Sequence, residues 1–215
     1  MTEHQATVAV RGEVTREVEP DLARVVVTVE AHDRDRHATL DRLGQRSAAL
    51  RALLDRYADA IEARETSAVH IWPDVKRSGE QVRAYRGSVT TTVVVTDFAV
   101  LGELLTQAAS LEQTGVFGPM WSLRPDSPAY REARHAAIAD ALTRARDYAQ
   151  ALGARLVRLV ELADTGLSGG GGVTPGLSFA AAQETDAALE LDPQRQLVQA
   201  TVEARFIISE PNLPS

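Results

Sequence analysis

Apolar residues recur along the chain with two periods, and the switches between them mark out its elements. Val8, Val10, Gly12 and Val14 fall on one side of residues 7–14, with Thr7, Arg11 and Glu13 toward the other. After Pro20-Asp21, Ala23, Val25, Val27 and Val29 alternate with Arg24, Thr28 and Glu30. A period of two with one apolar face predicts two half-buried strands joined by a short turn. Over residues 36–64 the spacing changes. Leu40, Leu43, Leu50, Leu53, Leu54, Tyr57 and Ile61 recur at steps of three and four, or sums of them, which predicts one long amphipathic helix. Gly44 weakens it slightly. Val69 and Ile71 begin another strand, ended by Pro73, and Ser78-Gly79 supplies a turn. Tyr85, Val89, Val93 and Val95 define a long partner strand, so this stretch reads as an antiparallel hairpin.

Asp97 is placed to cap a short helix that turns Leu101, Leu104, Leu105 and Ala108 inward. Residues 116–123 return to strand. Ser127-Pro128 opens a long helix, since proline in the first turn gives up a donor that would have no partner there. The helix runs to Leu152, where Gly153 is suited to the left-handed conformation that ends helices. Ala133, Ala137, Ala141, Ala145 and Ala149 fall at every fourth position of it. Such a ridge of small side chains lets a helix backbone approach its neighbour closely. Residues 155–163 read as strand, and residues 165–192 as a flexible loop rich in Gly and Ala. Val198, Ala200, Val202, Ala204, Phe206 and Ile208 then alternate with Gln199, Thr201, Glu203 and Arg205.

The resulting order is ββαββαβαββ. The fold class is α+β: antiparallel sheet packed against two long helices and one short helix, in a single domain over 1–215. A strand-helix-strand-strand module reads twice, over 22–95 and again over 116–208, with the glycine-rich loop inserted in the last hairpin.

Composition narrows the function. A 44% hydrophobic and 25% charged chain of 215 residues is ordinary for a globular protein. The net charge of −7 repels phosphate backbones, and the arginines are interspersed with acids, as in Asp33-Arg34-Asp35-Arg36, so no nucleic-acid partner is expected. The absence of cysteine excludes disulfides and thiolate chemistry. No apolar run reaches membrane-spanning length. Residues 1–5 are polar and show no leader pattern. The expected compartment is therefore the cytoplasm, or the periplasm or exterior for a chain whose leader has been removed.

The chain resembles the SIMPL-domain family, once catalogued as a domain of unknown function. The resemblance rests on Val8-x-Val10-x-Gly12, Pro20-Asp21-x-Ala23 and the Tyr85 strand. It continues through Glu132-Ala133-Arg134 with Ala137, Ala141 and Ala145, then Leu152-Gly153 and the final alternating strand. That family includes bacterial periplasmic immunogenic and oxidative-stress-related proteins and a eukaryotic kinase-binding signalling protein. The resemblance implies an α+β fold and homo-oligomerisation into ring-like assemblies, with no catalytic residues to carry over.

Candidate chemistry is sparse. His32, Asp33, Asp35 and His37 mix metal-ligating types, but a separation of five puts the imidazoles on different helical faces, and a site needs three or four convergent ligands. His70 and His135 stand alone. Ser168 lacks the strand-to-helix elbow of a serine nucleophile. The glycines at 169–172 lack the lysine and the junction of a phosphate loop. Asp140 with Asp147, and Glu184 with Asp186, matter catalytically only if a cleft holds them together. Trp121 reads as core, sharing a face with Phe117 and Leu123. Trp72, before Pro73, is the candidate partner contact, tryptophan being enriched at binding hot spots. The expectation is a non-enzymatic SIMPL-like protein without cofactor or metal. It would self-associate or bind protein partners, in a stress- or signalling-related role. The alternative is a small-molecule binder or enzyme with a pocket between sheet and helices.

Overall fold

A computed structural model describes residues 5–75, 82–164 and 189–212. Among these the elements run β1 (Thr7–Val18), β2 (Leu22–Asp33), α1 (Arg36–Arg56), β3 (Ile61–Val75) and β4 (Val82–Val95), then α2 (Leu101–Ala109) and β5 (Thr114–Ser122), and finally α3 (Pro128–Ala151), β6 (Leu156–Asp164) and β7 (Gln196–Ile208). This is the expected order, and every strand pairing is antiparallel. The chain divides into two compact units, one of Glu19–Arg124 with Gln183–Gln194, the other of Met1–Val18, Pro125–Ala182 and Arg195–Ser215.

The first of these units holds a sheet of order β3-β4-β2-β5. Alternation along β2 buries Ala23, Val25, Val27, Val29 and Ala31 against Leu43, Leu50, Leu53 and Leu54 of α1 and Leu101, Leu104, Leu105 and Ala108 of α2. Each fully buried Leu or Val contributes roughly 1.5–3 kcal/mol, so this face dominates the unit's stability. Asp35 caps α1 by accepting from the Ala38 N–H at 2.9 Å. Asp97 likewise accepts from Ala99 at 3.0 Å, capping the 3-10 turn that leads into α2.

Two expectations fail here for identifiable reasons. The first helix stops at Arg56, and a 3-10 turn at Ala58–Ala60 delivers Ile61 into β3 opposite Val95. Tyr57 and Ile61 still pack against the core, so the apolar stripe continues while the backbone beneath it changes from helix to sheet. Pro73 lies within β3, opposite Tyr85, and does not end it. β3 is an edge strand, where a missing amide donor is tolerated.

β5 corrects a third reading. Val26 pairs with Phe117 and Arg24 with Met120, so Gly118 and Pro119 together oppose Val25. This bulge reverses which face successive residues occupy. Trp121 turns inward and meets Phe98 edge-on at 4.8 Å, whereas Phe117 is exposed. Gly118 has a φ of +118°, which a side chain would strain.

The other unit contains a sheet of order β1-β7-β6 crossed by α3. All five alanines of the ridge are buried. Their role is visible at Gly12 of β1, where an added Cβ would lie 2.6 Å from the Ala141 nitrogen and 2.7 Å from its Cβ. Helix and strand backbones therefore touch, which only Gly and Ala permit. α3 ends as expected. Gly153 has a φ of +65°, its N–H bonds Gln150 O at 3.0 Å, and Ala154 N–H bonds Ala149 O at 2.8 Å. That pair of bonds closes the helix with a left-handed glycine.

The strand-helix-strand-strand module is present twice, but its second copy starts elsewhere than expected. In the order β2-α1-β3-β4, the last strand sits between the first and the third element's strand, giving β2-β4-β3. β1, α3, β6 and β7 repeat this as β1-β7-β6. β5, assigned from sequence to the second copy, pairs instead with β2. The first copy is thus inserted between β1 and α3 of the second.

Candidate interaction surface

The sequence of β6 reads Leu-Val-Arg, Leu-Val-Glu, Leu-Ala-Asp, a period of three that suits neither a regular strand nor a helix. Its pairing with β7 explains the period. Leu156, Leu159 and Leu162 oppose Ile208, Phe206 and Ala204, while the register shifts at Val157 and again at Val160. Two bulges at a three-residue interval bring each leucine to the face that carries α3. Arg158 and Glu161 fall opposite Ile207 and Arg205, with Glu161 and Arg205 3.8 Å apart. α3 rests on β1 and β7, leaving β6 largely uncovered. Leu159, Val160 and Leu162 are 46–48% exposed, and Val157 is 58% exposed. Bulges and charges make an edge resist further strand pairing. The apolar side chains nevertheless remain available for packing.

Trp72 lies on β3, also an edge strand, opposite Arg86 and 44% exposed. Val69 and Val75 of the same strand are exposed as well. An Arg86–Asp74 ion pair at 3.6 Å borders the indole's neighbourhood. The sequence singled out Trp72 but missed β6, whose triplet pattern was the available signal.

The polar candidates are dispersed. Asp33 and Asp35 form the turn into α1: the Asp35 N–H donates to Asp33 Oδ1 at 3.0 Å, and Arg42 pairs with Asp33 at 2.9 Å. These contacts, the backbone amide foremost and Arg42 next, hold the Asp33 carboxyl below its ordinary value near 3.8. His32 lends its carbonyl to Arg42, and His37 is exposed on α1. His70 on β3 and His135 on α3 are exposed and apart in the fold. Asp140 accepts from the Glu13 N–H at 3.0 Å and from Arg144 at 2.9 Å, tying α3 to β1, while Asp147 is exposed. Ser168, the glycines at 169–172, Glu184 and Asp186 lie outside the described residues, as does the Ser78-Gly79 turn. Among the described residues no group of three or more His, Asp or Glu is placed to hold a metal ion.

Three of the depressions on the described surface measure 340–490 Å³. One borders α1 at Arg42, Arg46 and Glu112, where Arg46 is already paired with Glu112. Another lies over β1, β6 and β7, among the ion-paired Arg11, Glu203, Arg205 and Glu161. The third is at the start of α3. None of the described helices is long and apolar enough to cross a membrane.

Paired βαββ units with apolar edge strands define the class: an α+β protein whose distinctive surfaces are side-chain patches on sheet edges. The family model for SIMPL, described as a protein of unknown function (DUF541), matches residues 8–206, and the chain belongs to that family. Two relatives are each called a 26 kDa periplasmic immunogenic protein, one from Brucella melitensis biotype 1 and one from Brucella abortus strain S19. Each is 28% identical over 176 residues, spanning 76% of this chain and 68% of the relative.

Proposed function

We propose that this SIMPL protein is non-enzymatic and self-associates, or engages protein partners, through apolar side chains on its edge strands. The observation that carries the reading is β6, where Val157, Leu159, Val160 and Leu162 all remain about half exposed. Contiguous apolar surface of this kind usually marks an interaction site. The bulges of β6 favour packing of side chains over extension of the sheet. Trp72, on the β3 edge of the four-stranded sheet, is the proposed contact for a second protein.

Light scattering on a size-exclusion column tests self-association. The wild type is expected to exceed the chain mass of 23.2 kDa at micromolar concentration, and the double variant Leu159→Glu with Val160→Glu to return to it. A wild type at the monomer mass throughout that range would refute the reading.

The cytoplasmic expectation gains no support from the comparisons. The relatives' names favour the periplasm, and we extend that compartment to this chain. Cell fractionation with a tagged copy checks it. A stress- or signalling-related role rests on the family resemblance, and survival of a deletion strain under oxidant tests it.

A further inference from the structure

The depression at the start of α3 has the electrostatics of an anion site. It measures about 490 Å³ and is lined by Asp126, Ser127, Tyr130, Arg131 and Arg134, among others. A helix N-terminus carries roughly half a positive charge, and its first amides have no carbonyl partner within the helix. A serine at the position before the helix normally answers one of them with its hydroxyl. Ser127 does not: its side chain makes no capping bond, and the Tyr130 N–H turns back to the Ser127 carbonyl at 3.2 Å. Pro128 has no N–H, so the Ala129 amide is the first free donor.

Charge at this end runs opposite to the usual preference. The first turn has no acidic residue, and Arg131 and Arg134 follow where they repel the helix's positive end. Positions 127, 131 and 134 share one helical stripe. Among the described residues neither arginine has an ion-pair partner, unlike Arg144 further along, which is paired with Asp140. Ser127 is only 6% exposed yet lines the depression with a hydroxyl that no described residue engages. The hydroxyl is not sealed from solvent, so a ligand oxygen entering the depression can take the place of water on it. Asp126 stands at the rim as the opposing charge.

We propose that this depression binds a phosphate group. The Ala129 amide and the Ser127 hydroxyl donate to it, and Arg131 and Arg134 supply the counter-charge. The volume leaves room beyond one oxyanion, and the exposed Tyr130 ring offers a stacking surface for the organic part of a phosphomonoester. This site is independent of the self-association proposed above.

A two-dimensional NMR titration of the full chain tests it, using inorganic phosphate, phenyl phosphate and acetate at constant ionic strength. Phosphate is expected to move the amides of Ala129, Tyr130 and Arg131 with a Kd of about 1 mM, and acetate to move them far less. Tighter binding of phenyl phosphate identifies an ester as the ligand, and equal binding identifies the free anion; both support the site. Arg131→Gln and Arg134→Gln should each weaken binding about tenfold, the scale of one charge-assisted hydrogen bond. Arg134→Lys should recover part of the loss. Both arginines are exposed, so the rest of the spectrum should stay unchanged. Shifts that are absent, that cluster elsewhere, or that persist unaltered in the arginine variants would overturn the assignment.

Discussion

Replacing Gly12 with alanine tests the contact between α3 and β1 with the smallest possible perturbation. One methyl group would stand 2.6 Å from the Ala141 nitrogen, with the Ala137 carbonyl oxygen nearer still. Ordinary contact begins at 3.4 Å, so the shortfall at Ala141 alone is 3.4 − 2.6, or about 0.8 Å. The obstructing atoms are backbone, which no rotamer change can move aside. The helix must lift from the strand along its alanine ridge. Overpacking costs about 1–3 kcal/mol, and a rigid neighbour places this case toward the top of that range. Reduced freedom of the unfolded chain offsets about 0.4–1 kcal/mol, leaving a net loss of about 2 kcal/mol. For a chain of this length that corresponds to a fall in Tm of about 4–8 °C. Urea denaturation followed by circular dichroism gives the loss, and hydrogen exchange of α3 peptides localises it. Gly44→Ala is the matched control: it sits on α1 with nothing within 4 Å of the added methyl, and is expected to stabilise by roughly 0.5–1 kcal/mol. If Gly12→Ala changes stability by less than about 0.5 kcal/mol, the close approach is not real.

Asp35→Ala removes the cap of α1 and should cost about 1 kcal/mol in urea denaturation. Asp33 has a lowered folded value, so its contribution is present above pH 3.8 and is lost as pH falls through that lower value. Titration of its carboxyl by NMR should show a midpoint below the ordinary aspartate value of 3.8. Tyr57 is raised above 10.0, first by burial and then by its hydrogen bond to Glu103. The neutral phenol is therefore the form the fold prefers. Its contribution is present below pH 10 and is lost as pH rises through the folded value, so Tyr57→Phe should flatten the alkaline decline of the denaturation midpoint.

Legibility followed how local the determining interaction was. The alternation in β2 and β7, the buried leucines of α2, the alanine ridge and the left-handed Gly153 are set by near neighbours in the chain, and all could be read from it. The end of α1 could not, because Tyr57 and Ile61 continue the helical spacing while Val95, far along the chain, claims Ile61 for a ladder. Pro73 misled in the same way: whether proline ends a strand depends on edge position, which is a property of the sheet. Phe117 and Trp121 lie four residues apart and would share a face but for a bulge whose signature, Gly118-Pro119, resembles any turn. On the candidate surface, Trp72 stood out by residue type. The exposure of β6 depends on where α3 comes to rest, which no local pattern records.

Strand β7 is the middle strand of its sheet, yet it is synthesised after every other strand of the two sheets. Arg11 and Glu203, paired across it at 3.3 Å, are 192 residues apart. On the ribosome, β1 must wait with its apolar face unmatched while β2 to β5 emerge and can already assemble from contacts among themselves. A stop codon shortly before residue 196 would deprive both β1 and β6 of their hydrogen-bonding partner at once, so nascent chains stalled there are the species most in need of a chaperone.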